Sequence, residues 1–138
     1  MNTHRLVIVI VTAGLAGCAS VSLPPEAAAV SLSPLSSKAV AVEQPKLSVR
    51  NGRLALDGWV SRQYGAWTTA GSHLDIAFVD GAGREIRREV TRFAPSVLQV
   101  GAGQRLQPRG HYSLPIEAMP PGTVAIQVRA HDSAEHGS

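Results

Sequence analysis

Asn51-Gly52 stands between two short segments in which apolar and polar residues alternate, Lys46-Leu47-Ser48-Val49-Arg50 and Arg53-Leu54-Ala55-Leu56-Asp57. Both central positions of a two-residue hairpin turn need positive φ, and Asn-Gly meets that need at least steric cost. Such a turn sets the register on its own. Arg50 faces Arg53, Val49 faces Leu54, Leu47 faces Leu56, and Lys46 faces Asp57. The apolar pairs then share one side, and a lysine meets an opposite charge. A chain built around this unit is committed to antiparallel sheet.

The same period of two recurs downstream. His73 to Asp80 places Leu74, Ile76 and Phe78 on one face, and Thr123 to Ala130 does so with Val124, Ile126 and Val128. Tyr112 to Glu117 alternates Tyr112, Leu114 and Ile116. Pro115 has no N–H to give a neighbour, so this segment belongs at an edge or bulge. Pro121-Gly122 suits the centre of a type II turn. Val97 to Val100 reads as another short strand. Arg84 to Phe93 is divided between two periods, with Ile86, Val90 and Phe93 at helical spacing. The loop-like Asp80-Gly81-Ala82-Gly83 before it favours a strand. Six or seven short strands and no long helix predict an all-β domain over residues 46–132, a small antiparallel β-sandwich, with a small β-barrel as the alternative. The pattern is similar to immunoglobulin-like and fibronectin type III-like modules, although no family motif carries that likeness.

The 138 residues leave room for one domain. Cys18 is the one cysteine, so the folding region holds no disulfide and depends on its core. Residues 1–17 have the parts of an export signal. Arg5 makes the start basic, and Leu6 to Ala16 is an apolar run too short, at about 16 Å as a helix, to span a bilayer. Leu15-Ala16-Gly17-Cys18 resembles the lipobox of bacterial lipoproteins at all four positions. The resemblance implies a signal peptidase that recognises Leu15, Ala16 and Gly17 and cuts before Cys18. It also implies diacylglycerol on the Cys18 sulfur and, in many Gram-negative bacteria, a further palmitate-like acyl chain on its amino group. Two or three chains, at about 0.8 kcal/mol per buried CH₂, make a durable anchor. If the source is Gram-negative, Ala19, where such proteins retained in the inner membrane often carry Asp, favours the outer membrane facing the periplasm.

Residues 18–45 hold six Ser, six Ala and four Pro from Ala19 onward, with charges only at Glu26, Lys38 and Glu43. That composition predicts a flexible tether averaging roughly 30 Å, with a marginal helix near Ala27 to Val30. Residues 133–138 read as a flexible tail. The formal charge is +3, and removing residues 1–17 takes away Arg5. So small a surplus is no nucleic-acid footprint.

Candidate sites are few. Trp59 to Trp67 contains three of the six aromatic residues and centres on an inter-strand connection, where binding residues concentrate. Trp59, Arg62, Tyr64 and Trp67 are therefore candidates for binding a partner or a glycan, since Trp, Tyr and Arg dominate hot spots. The competing reading places Trp59 in the core, with Tyr64 and Trp67 capping the sandwich. Arg84, Arg87, Arg88 and Arg92, interleaved with Glu85 and Glu89, read as a solvated strand face that discourages edge pairing. His131 and His136 are weak metal candidates, with Asp132 and Glu135 between them and His73 or His111 able to join in space. The stretches at 81–83 and 101–103 lack phosphate-loop form. No motif nominates a nucleophile with its base, and no cofactor is implied. The sequence thus predicts a non-catalytic, membrane-anchored envelope module with another envelope protein as partner. A module binding a small ligand, glycan or metal is the second expectation.

Overall fold

The computed structural model describes residues 21–99 and 107–133. A short helix α1 (Pro25–Ala28) precedes eight strands. These are β1 (Ser31–Leu35), β2 (Val40–Val42), β3 (Lys46–Arg50), β4 (Arg53–Arg62), β5 (His73–Asp80), β6 (Glu85–Thr91), β7 (Arg109–Ile116) and β8 (Thr123–His131). They form two four-stranded sheets. One has the order β1-β8-β5-β6, and in the other β4 pairs with β2 and β3 along one edge and β7 along the other. The domain is an all-β sandwich.

The founding hairpin has the expected register, with Arg50 opposite Arg53, Leu47 opposite Leu56 and Lys46 opposite Asp57. Asn51 at φ 51 and Gly52 at φ 73 supply the turn. Leu54, Leu56 and Val60 of β4 point inward together with Leu74, Ile76 and Phe78 of β5 and Ile126 and Val128 of β8. Those of this set that are fully buried contribute about 1.5–3 kcal/mol each. Residues 85–91 are a strand paired with β5, not a helix. Pro115 lies on β7, which pairs along one side with β4. Gly122, at φ 84, and the bond from Thr123 N–H to the Pro120 carbonyl (3.2 Å) make the last turn.

Three expectations need correction. Residues 18–45 are not one long tether, because α1, β1 and β2 fall within them and the fold begins well before residue 46. Val30 and Leu32 pack on the core, and Val40 and Val42 are part of it. Composition hid these strands because their partners are remote. Ser31 sits opposite Ala125 and Val40 opposite Arg62, and three or five residues are too few to display a period. Secondly, β1 runs parallel to β8, so the sandwich is not wholly antiparallel. Thirdly, 97–99 form no strand, while Val100 lies outside the described residues. Leu98 is fully buried as a plug from a loop, which an apolar residue in sequence does not distinguish from a strand residue.

The strand directions give the sandwich two different ends. The turns at 51–52, 81–84 and 117–122 lie at one end. So does the incoming chain, since Ser22 and Pro24 share a groove with Gly52, Arg53 and Glu117. The connections 36–39 and 63–72 and the end of β8 lie at the other, about 33 Å away along the ten residues of β4.

Candidate functional site

The candidate aromatics separate into two places. β4 alternates in and out, so Trp59 leaves the core and lies on the outer face of its sheet, 44% exposed. Its cross-strand partner is His111. The two rings meet edge to face at 4.9 Å, and the Arg109 guanidinium covers the indole at 4.7 Å. Arg109 is in turn held by Glu43, with its Nε donating at 2.8 Å. Two residues back along β4, Asp57 is buried on the same face. It accepts from Ser48 Oγ at 2.7 Å and pairs with Arg50 at 3.4 Å. His111 Nε2 stands 4.0 Å from its other oxygen, too far for a hydrogen bond. Trp59 is therefore neither core nor free, because its ring already has an arginine and a histidine upon it.

Tyr64 and Trp67 are placed quite differently. Both stand on the β4–β5 connection with their side chains wholly in solvent, at 100% and 98% exposure. This is not the capping position. The loop beneath them is fixed. Gln63 N–H donates to the Ala39 carbonyl at 2.8 Å, and Ala66 N–H to the Gln63 carbonyl at 3.2 Å. Gly65 turns the chain at φ 79. Thr69 is fully buried, donates to the Ser96 carbonyl (3.2 Å) and accepts from Leu98 N–H (2.8 Å). Gly71, at φ 77, lies where a Cβ would meet Ser133 at 2.8 Å.

Between this loop and the 36–39 turn is an open groove of about 400 Å³, bordered by Tyr64, Trp67, Thr68, Lys38, Asp132 and Ser133. Asp132 accepts from Ser37 Oγ at 2.6 Å and from Ala39 N–H at 3.2 Å, so it ties the turn to the end of β8. Arg62, at the end of β4 opposite Val40, does not border the groove. The structure thus unites Tyr64 with Trp67 and separates both from Trp59 and Arg62. Lys38 and Asp132 were not legible as site residues. Lys38 lies in the segment expected to be a tether and Asp132 at the last position of the expected domain, and contacts 93 and 95 positions apart leave no local pattern.

The other candidates resolve as follows. His131 stacks on its cross-strand partner His73 at 5.4 Å between centroids, and its Nε2 lies 3.3 Å from Asp75. His73 reaches the same carboxylate at 3.5 Å, and Arg88 donates to it at 3.1 Å. These side chains pair with one another, and no group of three or more His, Cys, Asp or Glu that could hold a metal ion is found among the described residues; His136 lies outside them. The arginines of β6 and of the turn before it are engaged locally. Arg84 pairs with Asp80, Arg88 with Glu85 and Asp75, and Arg87 with Glu89 while lying 4.4 Å over Phe78. Arg87 and Glu89 therefore line the inner side of an edge strand, where charge hinders pairing with a second sheet.

Cys18 and the lipobox residues Leu15, Ala16 and Gly17 lie outside the described residues. No protein-family model, no curated protein and no solved structure matches the chain.

Proposed function

We propose that this chain is a lipid-anchored envelope protein whose non-catalytic β-sandwich binds another envelope protein through Tyr64 and Trp67. One observation carries the reading. Two large aromatic side chains stand fully in solvent on a loop that is itself hydrogen-bonded into place. Aromatics on a rigid support lose little entropy on binding and bury much surface. They border a groove whose Lys38 and Asp132 offer charge of both signs. The lipobox at Leu15 to Cys18 supplies the anchor in this reading, with the outer membrane as the site of attachment.

The geometry of the sandwich suits that arrangement. The chain comes in at the hairpin end and the aromatic loop lies at the other. A domain anchored through Cys18 presents Tyr64 and Trp67 away from its own membrane, roughly 30 Å out along β4. A glycan strand is the second reading, favoured by the polar groups beside the two rings.

Two measurements test the proposal. Mass spectrometry of membrane-extracted protein should show a mature chain starting at Cys18 with added acyl mass, absent from Cys18→Ser. Co-purification after mild cross-linking should recover one defined partner with the wild type and lose it with Tyr64→Ala/Trp67→Ala. An unlipidated chain cut elsewhere removes the anchor. Equal recovery by the double variant removes the site.

A further inference from the structure

A second groove lies at the opposite end from the aromatic loop. It has a volume of about 540 Å³ and lies between the incoming chain and the β3–β4–β7 sheet, beside the Asn51-Gly52 turn. Val49, Leu54 and Ile116 form its apolar floor, while Arg53 and Glu117 stand at its rim. Its wall is completed by the incoming chain itself, at Ser22. Val49 and Leu54 are directly paired across the hairpin, so the floor is a rigid piece of sheet.

We infer that this groove holds one acyl chain carried by Cys18. The inference rests on the lipid-anchor reading above. Three features point to this occupant. Cys18 precedes Ser22 by four residues, a reach of at most about 14 Å at 3.3–3.6 Å per residue, so any lipid on its sulfur or amino group originates beside the groove mouth. The floor is apolar and the rim charged, which matches a hydrocarbon chain entering below an ester or amide linkage. The early part of the chain is folded into α1 and β1, so the anchor has no long tether on which to move away. The groove thus shelters one chain at the membrane-facing end of the domain, while the remaining acyl chains on Cys18 hold the protein in the bilayer.

The test uses the full-length protein expressed in cells fed a palmitate analogue bearing a diazirine. After irradiation in intact membranes and purification, peptide mass spectrometry locates the cross-links. The expected result is acyl mass on Cys18 with cross-links to residues 47–56 or 114–117. Val49→Arg should reduce these about fivefold or more, because a charge on an apolar wall opposes the hydrocarbon. Val124→Arg, at an exposed position outside the groove lining, should leave them unchanged. Acyl mass on Cys18 with cross-links confined to bilayer lipid overturns the inference and leaves the anchor standing. So do cross-links indifferent to Val49→Arg, or a bilayer phospholipid found in the groove instead. Absence of acyl mass overturns both the inference and the anchor. If either variant fails to fold, the wild-type map decides alone.

Discussion

Tyr112 lies across the backbone of Gly58, its partner in the β4–β7 ladder, so closely that a Cβ at position 58 would stand 2.2 Å from the tyrosine hydroxyl oxygen. Gly58 is therefore fixed by its neighbour and not by its own dihedrals. Gly58→Ala must displace a ring that is 1% exposed, and the expected loss is about 1–3 kcal/mol, as for overpacking elsewhere. Denaturant melts check it. Combining it with Tyr112→Leu should give less than the sum of the two single losses.

The Tyr112 hydroxyl has no hydrogen-bond partner among the described residues. Burial, and secondarily the charge of Asp57, push its pKa well above the ordinary tyrosine value. The folded value exceeds the unfolded one, so this contribution is fully present below about pH 10 and is lost as pH rises toward the folded value. Tyr112→Phe should be neutral or up to about 1 kcal/mol stabilising at pH 7, since it removes an unsatisfied buried group. It should also melt with a flatter alkaline profile than the wild type. A wild-type profile no steeper above pH 10 than that of the variant contradicts this.

Acid should loosen the β5–β6 turn. Asp80 accepts from the backbone N–H groups of Arg84 and Ala82, each at 2.9 Å. The Arg84 backbone bond is the chief cause of its lowered pKa, partly opposed by desolvation. A depressed carboxylate stabilises the fold above its unfolded value and loses that contribution as pH falls through the folded one. Protection of the Ala82 and Arg84 amides, measured against their intrinsic exchange rates, should therefore fall below about pH 4 in the wild type. In Asp80→Ala that protection should be low already at pH 6, with little further change.

Much of this fold was readable because its signals are local. Asn51-Gly52 fixes a turn, and the turn fixes a register. Asp80 to Gly83 and Pro121-Gly122 end strands for reasons contained in a few residues. What escaped was held by distant partners. β1 needs β8, 94 positions on, and Lys38 needs the end of β8 to become part of a groove. Trp59 shows the same limit at the site. Alternation in β4 could have put it outside, opposite Leu56 and Val60, but the Arg109 and His111 that occupy its ring are set by β7.

Thr69 links loop order to the site. Thr69→Val leaves Leu98 N–H unsatisfied in a buried position, at an expected cost of about 1–3 kcal/mol. The loop carrying Tyr64 and Trp67 should loosen with it, and partner recovery should fall although neither aromatic is altered. Thr69→Ser, which keeps the hydroxyl, should restore most of both.

The central claim is that the end bearing Tyr64 and Trp67 is where this protein meets its partner. The most direct measurement replaces Trp67, in living cells, with a photo-cross-linking amino acid, beside a control at the exposed Val90 of β6. The account predicts one discrete cross-linked protein from position 67 that survives high salt and is absent from position 90. No product from position 67, or the same products from both positions, contradicts it. A glycanase-sensitive smear from position 67 keeps the site and transfers it to a glycan.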